Sequence, residues 1–301
     1  MPIARALVCA LAVLVLAAGW GSAAKDDKSA ELKITNMEKL NTAADEDDPC
    51  PAPDGSTFYF TSTKSAGAKT DLMSASRKLK TQPFTNPRII EELAGKTDDT
   101  SPFAMAREPD GSEYFYFASM RDAKNFDIFF TRRLKPNQPF QRIAIAAVHQ
   151  ICTEEDELHP CVSADEKAIY FSRKTKQGWR VGYAYGPDRR AFDKVELLDL
   201  PVGFCHPSVT KDALTMYLHG PVEAGKERLG LFVSKRTTRN GKWSKPEALE
   251  MLNGKEGEKG ERSPRLSADG TFLYFASDRP GGKGGLDLYF VALADLKKAA
   301  N

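Results

Sequence analysis

Asp48, Ser101, His159, His206 and Ser263 each stand immediately before a proline: Pro49, Pro102, Pro160, Pro207 and Pro264. One carboxylate, two imidazoles and two hydroxyls at equivalent places suggest a ligand-binding mouth. Asp48 is a candidate base for glycosidic hydrolysis, which ordinarily takes two carboxyl groups. The other four positions hold no acid to partner it, which argues against an enzyme. His159, Cys161, Cys205 and His206 are of the types that hold tetrahedral zinc. Adjacent residues such as Cys205 and His206 point to opposite faces of a strand, however, so no metal and no other cofactor is expected. Serine-type hydrolysis finds no Gly-x-Ser-x-Gly turn. Acidic stretches at 45–48, 98–99, 154–157 and 256–261 lead into the five positions. They lack the spacing of an EF-hand loop and read as a solvated face.

The elements that position these residues recur five times. Each copy is a Pro-led short strand, an Asp-centred turn and an aromatic strand, clearest as Ser263 to Gly270 followed by Leu273-Tyr274-Phe275. The other aromatic strands are Phe58-Tyr59-Phe60, Tyr116-Phe117, Ile169-Tyr170-Phe171 and Met216-Tyr217-Leu218. The leading prolines are 53, 58, 47 and 57 residues apart. That period fits a four-stranded propeller blade.

Third strands are expected at Asp71-Leu72-Met73, Asp127-Ile128-Phe129, Val181-Gly182-Tyr183, Gly230-Leu231-Phe232 and 286–291. Fourth strands are expected near 88–93, 142–147, 195–198 and 248–252. The fifth repeat ends near Leu293 without a fourth strand, while an unassigned strand lies at 32–41. The sequence therefore predicts an all-β propeller of five blades, with six as the alternative, whose last blade is closed by the N-terminal strand. An open ring would expose sheet edges.

The repeat is similar to that of the WD-repeat-like propellers of TolB-type periplasmic proteins. Ser267-Ala268-Asp269-Gly270, Ser277-Asp278-Arg279 and Asp287-Leu288-Tyr289 carry the likeness in the last copy, and Pro53-Asp54-Gly55 and Pro109-Asp110-Gly111 in the first two. Copies three and four have Glu166 and Ala213 where the glycine stands. The resemblance implies a propeller, usually of six blades, and leaves ligand and partner unspecified. Lys64, Arg121, Arg173 and Arg279 follow second strands. In such a blade the arginine is expected to pair with a carboxylate, for Arg279 that of Asp287.

Residues 1–24 carry Arg5, the apolar run 6–18 and Ser22-Ala23-Ala24, the features of a cleaved signal peptide. The apolar run is shorter than the roughly 20 residues of a bilayer span. Cleavage would leave 42 basic against 41 acidic side chains, a balance that does not ask for nucleic acid. Residues 25–31 are expected to be disordered, 32–296 to form one propeller and 297–301 a frayed tail. Export permits disulfides, with Cys152 joining Cys161 or Cys205 as candidates. The expected function is an exported, periplasmic or extracellular, non-catalytic scaffold for an envelope or extracellular protein, or for a polysaccharide. The alternative is a carbohydrate-binding or glycoside-hydrolysing propeller using the channel mouth.

Overall fold

Aromatic and β-branched residues favour strands because their side chains pack well on a pleated surface. Here the second strand of each repeat is packed on both faces; every residue of 113–119 is buried. The computed structural model describes residues 32–63, 69–105, 108–121, 124–135, 138–141, 144–145, 151–188 and 191–299. The signal peptide expected at 1–24, the segment 25–31 and Lys64 lie outside them. No helix among the described residues is long and apolar enough to cross a membrane.

The described strands form five four-stranded antiparallel sheets. The chain enters through β1 (Ile34–Asn36). Blade one is β2 (Glu46–Pro51), β3 (Thr57–Ser62), β4 (Asp71–Ser76) and β5 (Thr85–Ile89). Blade two is β6 (Asp99–Ala104), β7 (Glu113–Ser119), β8 (Asp127–Arg133) and β9 (Ala144–Ile145). Blade three is β10 (Glu157–Val162), β11 (Ala168–Thr175), β12 (Gly178–Tyr185) and β13 (Asp193–Leu197). Blade four is β14 (Cys205–Val209), β15 (Thr215–Pro221), β16 (Leu229–Lys235) and β17 (Glu247–Ala248). Blade five is β18 (Glu261–Leu266), β19 (Phe272–Ser277) and β20 (Asp287–Ala292), and its outer strand is β1.

The N-terminal strand thus closes the last blade, Ile34 opposite Val291 and Asn36 opposite Tyr289. Asn41 seals the junction: its Nδ2 donates to the Leu288 carbonyl at 3.0 Å and its Oδ1 accepts from the Leu288 N–H at 2.8 Å. Three outer strands begin earlier than the sequence suggests, at Thr85, Asp193 and Glu247, and β17 has two residues. Past β20 the chain turns into α1 (Leu293–Ala299), so Lys297 and Lys298 are helical rather than frayed.

The core consists of five apolar clusters, one at each junction between neighbouring blades. Tyr59 of blade one packs edge-on to Phe115 of blade two at 4.8 Å between ring centres, and Phe58 meets Tyr274 of blade five at 5.2 Å. Apolar burial between blades therefore holds the ring together and fixes the inward edge of each innermost strand.

Candidate functional site

All five innermost strands carry the same irregularity. Their pairing with the second strand slips by one residue between 47 and 50, 100 and 103, 158 and 161, 205 and 208, and 262 and 265. Each slip is a β-bulge holding the pre-proline residue and its proline, whose missing N–H suits an unpaired position. Asp48, Ser101, His159, His206 and Ser263 all have φ between 50° and 55°. A left-handed L-residue costs roughly 1–2 kcal/mol, and repeated strain of this kind marks positions whose side-chain direction matters.

The bulges gather the five residues around the channel axis, but of the five that the sequence places at the mouth only Asp48 and His159 line the mouth cavity. Asp48 Oδ1 lies 3.8 Å from His159 Nε2 and 3.6 Å from His206 Nδ1, and the two imidazoles stack at 4.1 Å between ring centres. Ser101 donates its N–H to Asp48 Oδ2 at 3.0 Å, where Thr100 Oγ1 also donates at 2.5 Å. Ser263 donates its N–H to His219 Nδ1 at 3.0 Å, and His206 donates its N–H to Ser172 Oγ at 2.8 Å. Each of these bonds crosses from one blade to the next, so the ring residues also lock adjacent blades.

The ring is not saturated. Asp48 Oδ1, Ser101 Oγ, Ser263 Oγ and both ring nitrogens of His206 are buried without a hydrogen-bond partner. Buried polar groups are normally satisfied, so their convergence on one axis calls for a water or an ion. Asp48, His159 and His206 present ligand atoms within 4.8 Å of one another, a two-histidine, one-carboxylate set able to hold a transition metal. The four-donor arrangement of His159, Cys161, Cys205 and His206 does not form: Cys161 opens to the far end of the channel, and Cys205 Sγ contacts His219 Nε2 at 3.0 Å. The described cysteines are free thiols; burial pushes Cys50 up to about 11 and Cys152 and Cys205 to about 12. Burial also holds His159, His206 and His219 well below the ordinary imidazole range.

Above this ring, at the end where the innermost strands begin, lies a cavity of about 900 Å³. Asp47, Thr100, Leu158, Cys205 and Arg262 line it, each one residue before a bulge position. The same repeat register therefore contained a second ring, and a shift of one residue in the sequence pattern would have revealed it. Asp48, His159, Asp45, Asp98 and the Trp179 indole share the cavity. A carboxyl partner for Asp48 is thus present, but it comes from neighbouring registers rather than from the other four bulges. Asp47 and Arg262 form an ion pair at 3.0 Å between blades one and five. Burial raises the Asp47 carboxyl above its usual range, with Arg262 opposing the shift.

The acidic stretches are divided rather than uniformly solvated. Glu46, Asp99, Glu157 and Glu261 are fully buried. Arg121 reaches Asp99 at 2.5 Å, Arg173 reaches Glu157 at 2.8 Å and Arg279 reaches Glu261 at 3.2 Å. The arginines after the second strands are structural, as expected, but Arg279 pairs with Glu261, not Asp287. Asp287 instead accepts the Lys283 N–H at 2.6 Å in the glycine-rich loop.

No family model and no curated protein matches this chain. Solved structures do share its architecture. The GH43_1 enzyme from Xanthomonas citri in complex with xylotriose aligns over 87% of this chain and 90% of its own, at TM-score 0.61 and 13% identity. The α-L-arabinofuranosidase from Podospora anserina in complex with cellotriose aligns over 85% and 94%, at TM-score 0.54 and 11% identity. A family 117 glycoside hydrolase from the marine bacterium Zobellia galactanivorans aligns over 88% and 90%, at 0.54 and 11%. Likeness at such identities establishes the fold. The TolB-type assignment is corrected by these comparisons, because these structures that share the five-bladed ring are glycoside hydrolases. The expectation of a non-catalytic scaffold is corrected with it. The missing-acid objection behind that expectation also fails, since Asp47 and Asp98 share the mouth with Asp48.

Proposed function

We propose that this chain is an exported glycoside hydrolase that binds an oligosaccharide across the channel mouth. The carrying observation is the convergence of Asp47, Asp48 and Asp98 with Trp179 on one cavity of about 900 Å³, large enough for a short saccharide. An indole gives a sugar ring an apolar face to rest on, and the surrounding carboxylates and threonines suit its hydroxyls. Asp47, whose carboxyl is raised by burial, donates its proton to the leaving glycosidic oxygen. Asp48, held through Oδ2 by Thr100 and Ser101, takes a proton from the water that attacks the anomeric carbon. The water oxygen bonds to that carbon as the glycosidic C–O bond breaks. Solved propellers of this architecture in complex with xylotriose and cellotriose support a saccharide as the ligand, and the apolar leader supports export.

The test is hydrolysis of aryl glycosides and xylo- and arabino-oligosaccharides by the purified chain, with D47N and D48N alongside. Each amide variant is expected to lower turnover by about 10²–10⁴-fold with circular dichroism unchanged. W179A should raise KM more than it lowers kcat. Release indistinguishable from buffer across the panel, or amide variants as fast as the parent, would overturn the assignment.

A further inference from the structure

The opposite end of the channel has its own cavity, of about 490 Å³. In every blade the residue two positions after the bulge lines it: Cys50, Phe103, Cys161, Ser208 and Arg265. Four of these are uncharged, so a cation is not a requirement of the position. Arg265 is 3% exposed. Its Nε and Nη1 are buried without a hydrogen-bond partner. Its Nη2 makes one long contact, 3.4 Å, to the Pro160 carbonyl, and the guanidinium sits 5.1 Å from the centre of the Phe103 ring. Arg265 makes no ion pair with a described residue. The acidic residues at this cavity, Glu166 and Asp269, stand on the hairpin turns, and Asp269 accepts from Ser267 Oγ at 2.6 Å and from the Thr271 N–H at 3.0 Å.

A buried guanidinium without counter-charge is costly, and an anion that fills its free donors removes the cost. We infer that this cavity is a second binding site, for a monocarboxylate carried on a compact apolar body. Nε–H or Nη1–H, together with the second N–H of Nη2, matches a planar carboxylate in a forked pair. Of the two cations that line the cavity, Lys211 is exposed and Arg265 alone is buried, so one desolvated positive charge balances a monoanion and leaves a dianion such as phosphate half neutralised. Phe103, Met105, Val162, Val209 and Leu266 supply apolar wall for the remainder of the ligand. The carboxylate arrives either on a small free acid or at the C-terminus of a peptide. This site lies at the far end of the channel from Asp47 and does not depend on the hydrolase reading.

The experiment is calorimetric titration of the full chain with 3-phenylpropionate and its amide, and with a short peptide ending in phenylalanine as free acid and as amide. The acid is expected to bind at least about tenfold tighter than the matching amide. Preference in the first pair assigns a small-molecule source and in the second a peptide terminus. R265Q should erase the preference, whereas F103A should weaken both partners and preserve it. Should R265Q fail to fold, the acid–amide comparison on the parent chain decides alone. Equal binding of acid and amide, no binding of either acid at about 10 mM, or an undiminished preference in R265Q would overturn the site.

Discussion

The Asp47 carboxylate of the first blade and the Arg262 guanidinium of the last meet at 3.0 Å, so the junction that closes the propeller is also a wall of the proposed active site. Asp47 is the largest influence on Arg262, raising it, while Arg262 is the main force holding Asp47 down against burial.

Replacing Arg262 with glutamine removes the opposing positive charge, and the Asp47 carboxyl then rises further. If Asp47 is the proton donor, activity falls as pH climbs through its pKa, so the alkaline limb of the kcat/KM profile in R262Q moves to higher pH. Thermal unfolding of the same variant should show a loss of about 1–3 kcal/mol, because a partly buried carboxylate loses its partner. An unmoved alkaline limb would remove Asp47 from the proton-donor role.

His159, His206 and His219 make stability fall in acid. Burial, the leading cause, lowers all three below the ordinary imidazole value of 6.5. The unfolded chain therefore takes up protons near that pH which the folded chain refuses. Their contribution is complete above about pH 6.5 and declines as pH drops toward the folded values, by up to about 1.4 kcal/mol per pH unit for each histidine. Glu46, Glu157 and Glu261 oppose this just above 4.5, since burial raises them and the folded chain binds the proton more tightly there. In chelator-treated buffer, Tm should drop between pH 7 and 5.5 and H206N should flatten the slope. A level Tm across that range would show that the imidazoles are freely protonated.

Glu166 and Ala213 retain the backbone of the glycine turns they replace, with φ of 61° and 59° beside 69° for Gly55 and 70° for Gly270. A213G should therefore stabilise the protein by about 0.5–1 kcal/mol, relief of strain exceeding the entropy lost by glycine. Urea unfolding with an unchanged m-value measures it. Destabilisation by A213G would mean that packing of the Ala213 methyl, which is buried, outweighs the strain.

The blade plan and its closure by the N-terminal strand were legible because both are local patterns: a Pro-led strand, an Asp turn and an aromatic strand, then one strand too few at the end and one too many at the start. The five bulge residues were legible for the same reason, since a repeated register puts equal positions in equal places. Asp48, His159 and His206 came together accordingly. The acidic stretches were misread because a run of like charges looks solvated in one dimension. Only packing shows that Glu261 turns inward to Arg279 while Glu256 and Glu258 face water.

By itself the sequence determined the strand content, the five-fold repeat and the ring of pre-proline side chains, because hydrophobic alternation and turn chemistry act over a few residues. Tertiary structure decided what those side chains meet. Asp47 and Arg262 are 215 residues apart and touch only when the ring closes. The bulge rotates one residue out of the pleat, so that nearby positions serve different surfaces: Asp47 the mouth, Asp48 both the mouth and the axis, and Cys50 the far cavity. The burial that raises Asp47, lowers three histidines and strands Arg265 without a counter-charge is a property of the closed ring, created when five blades exclude water from their common axis.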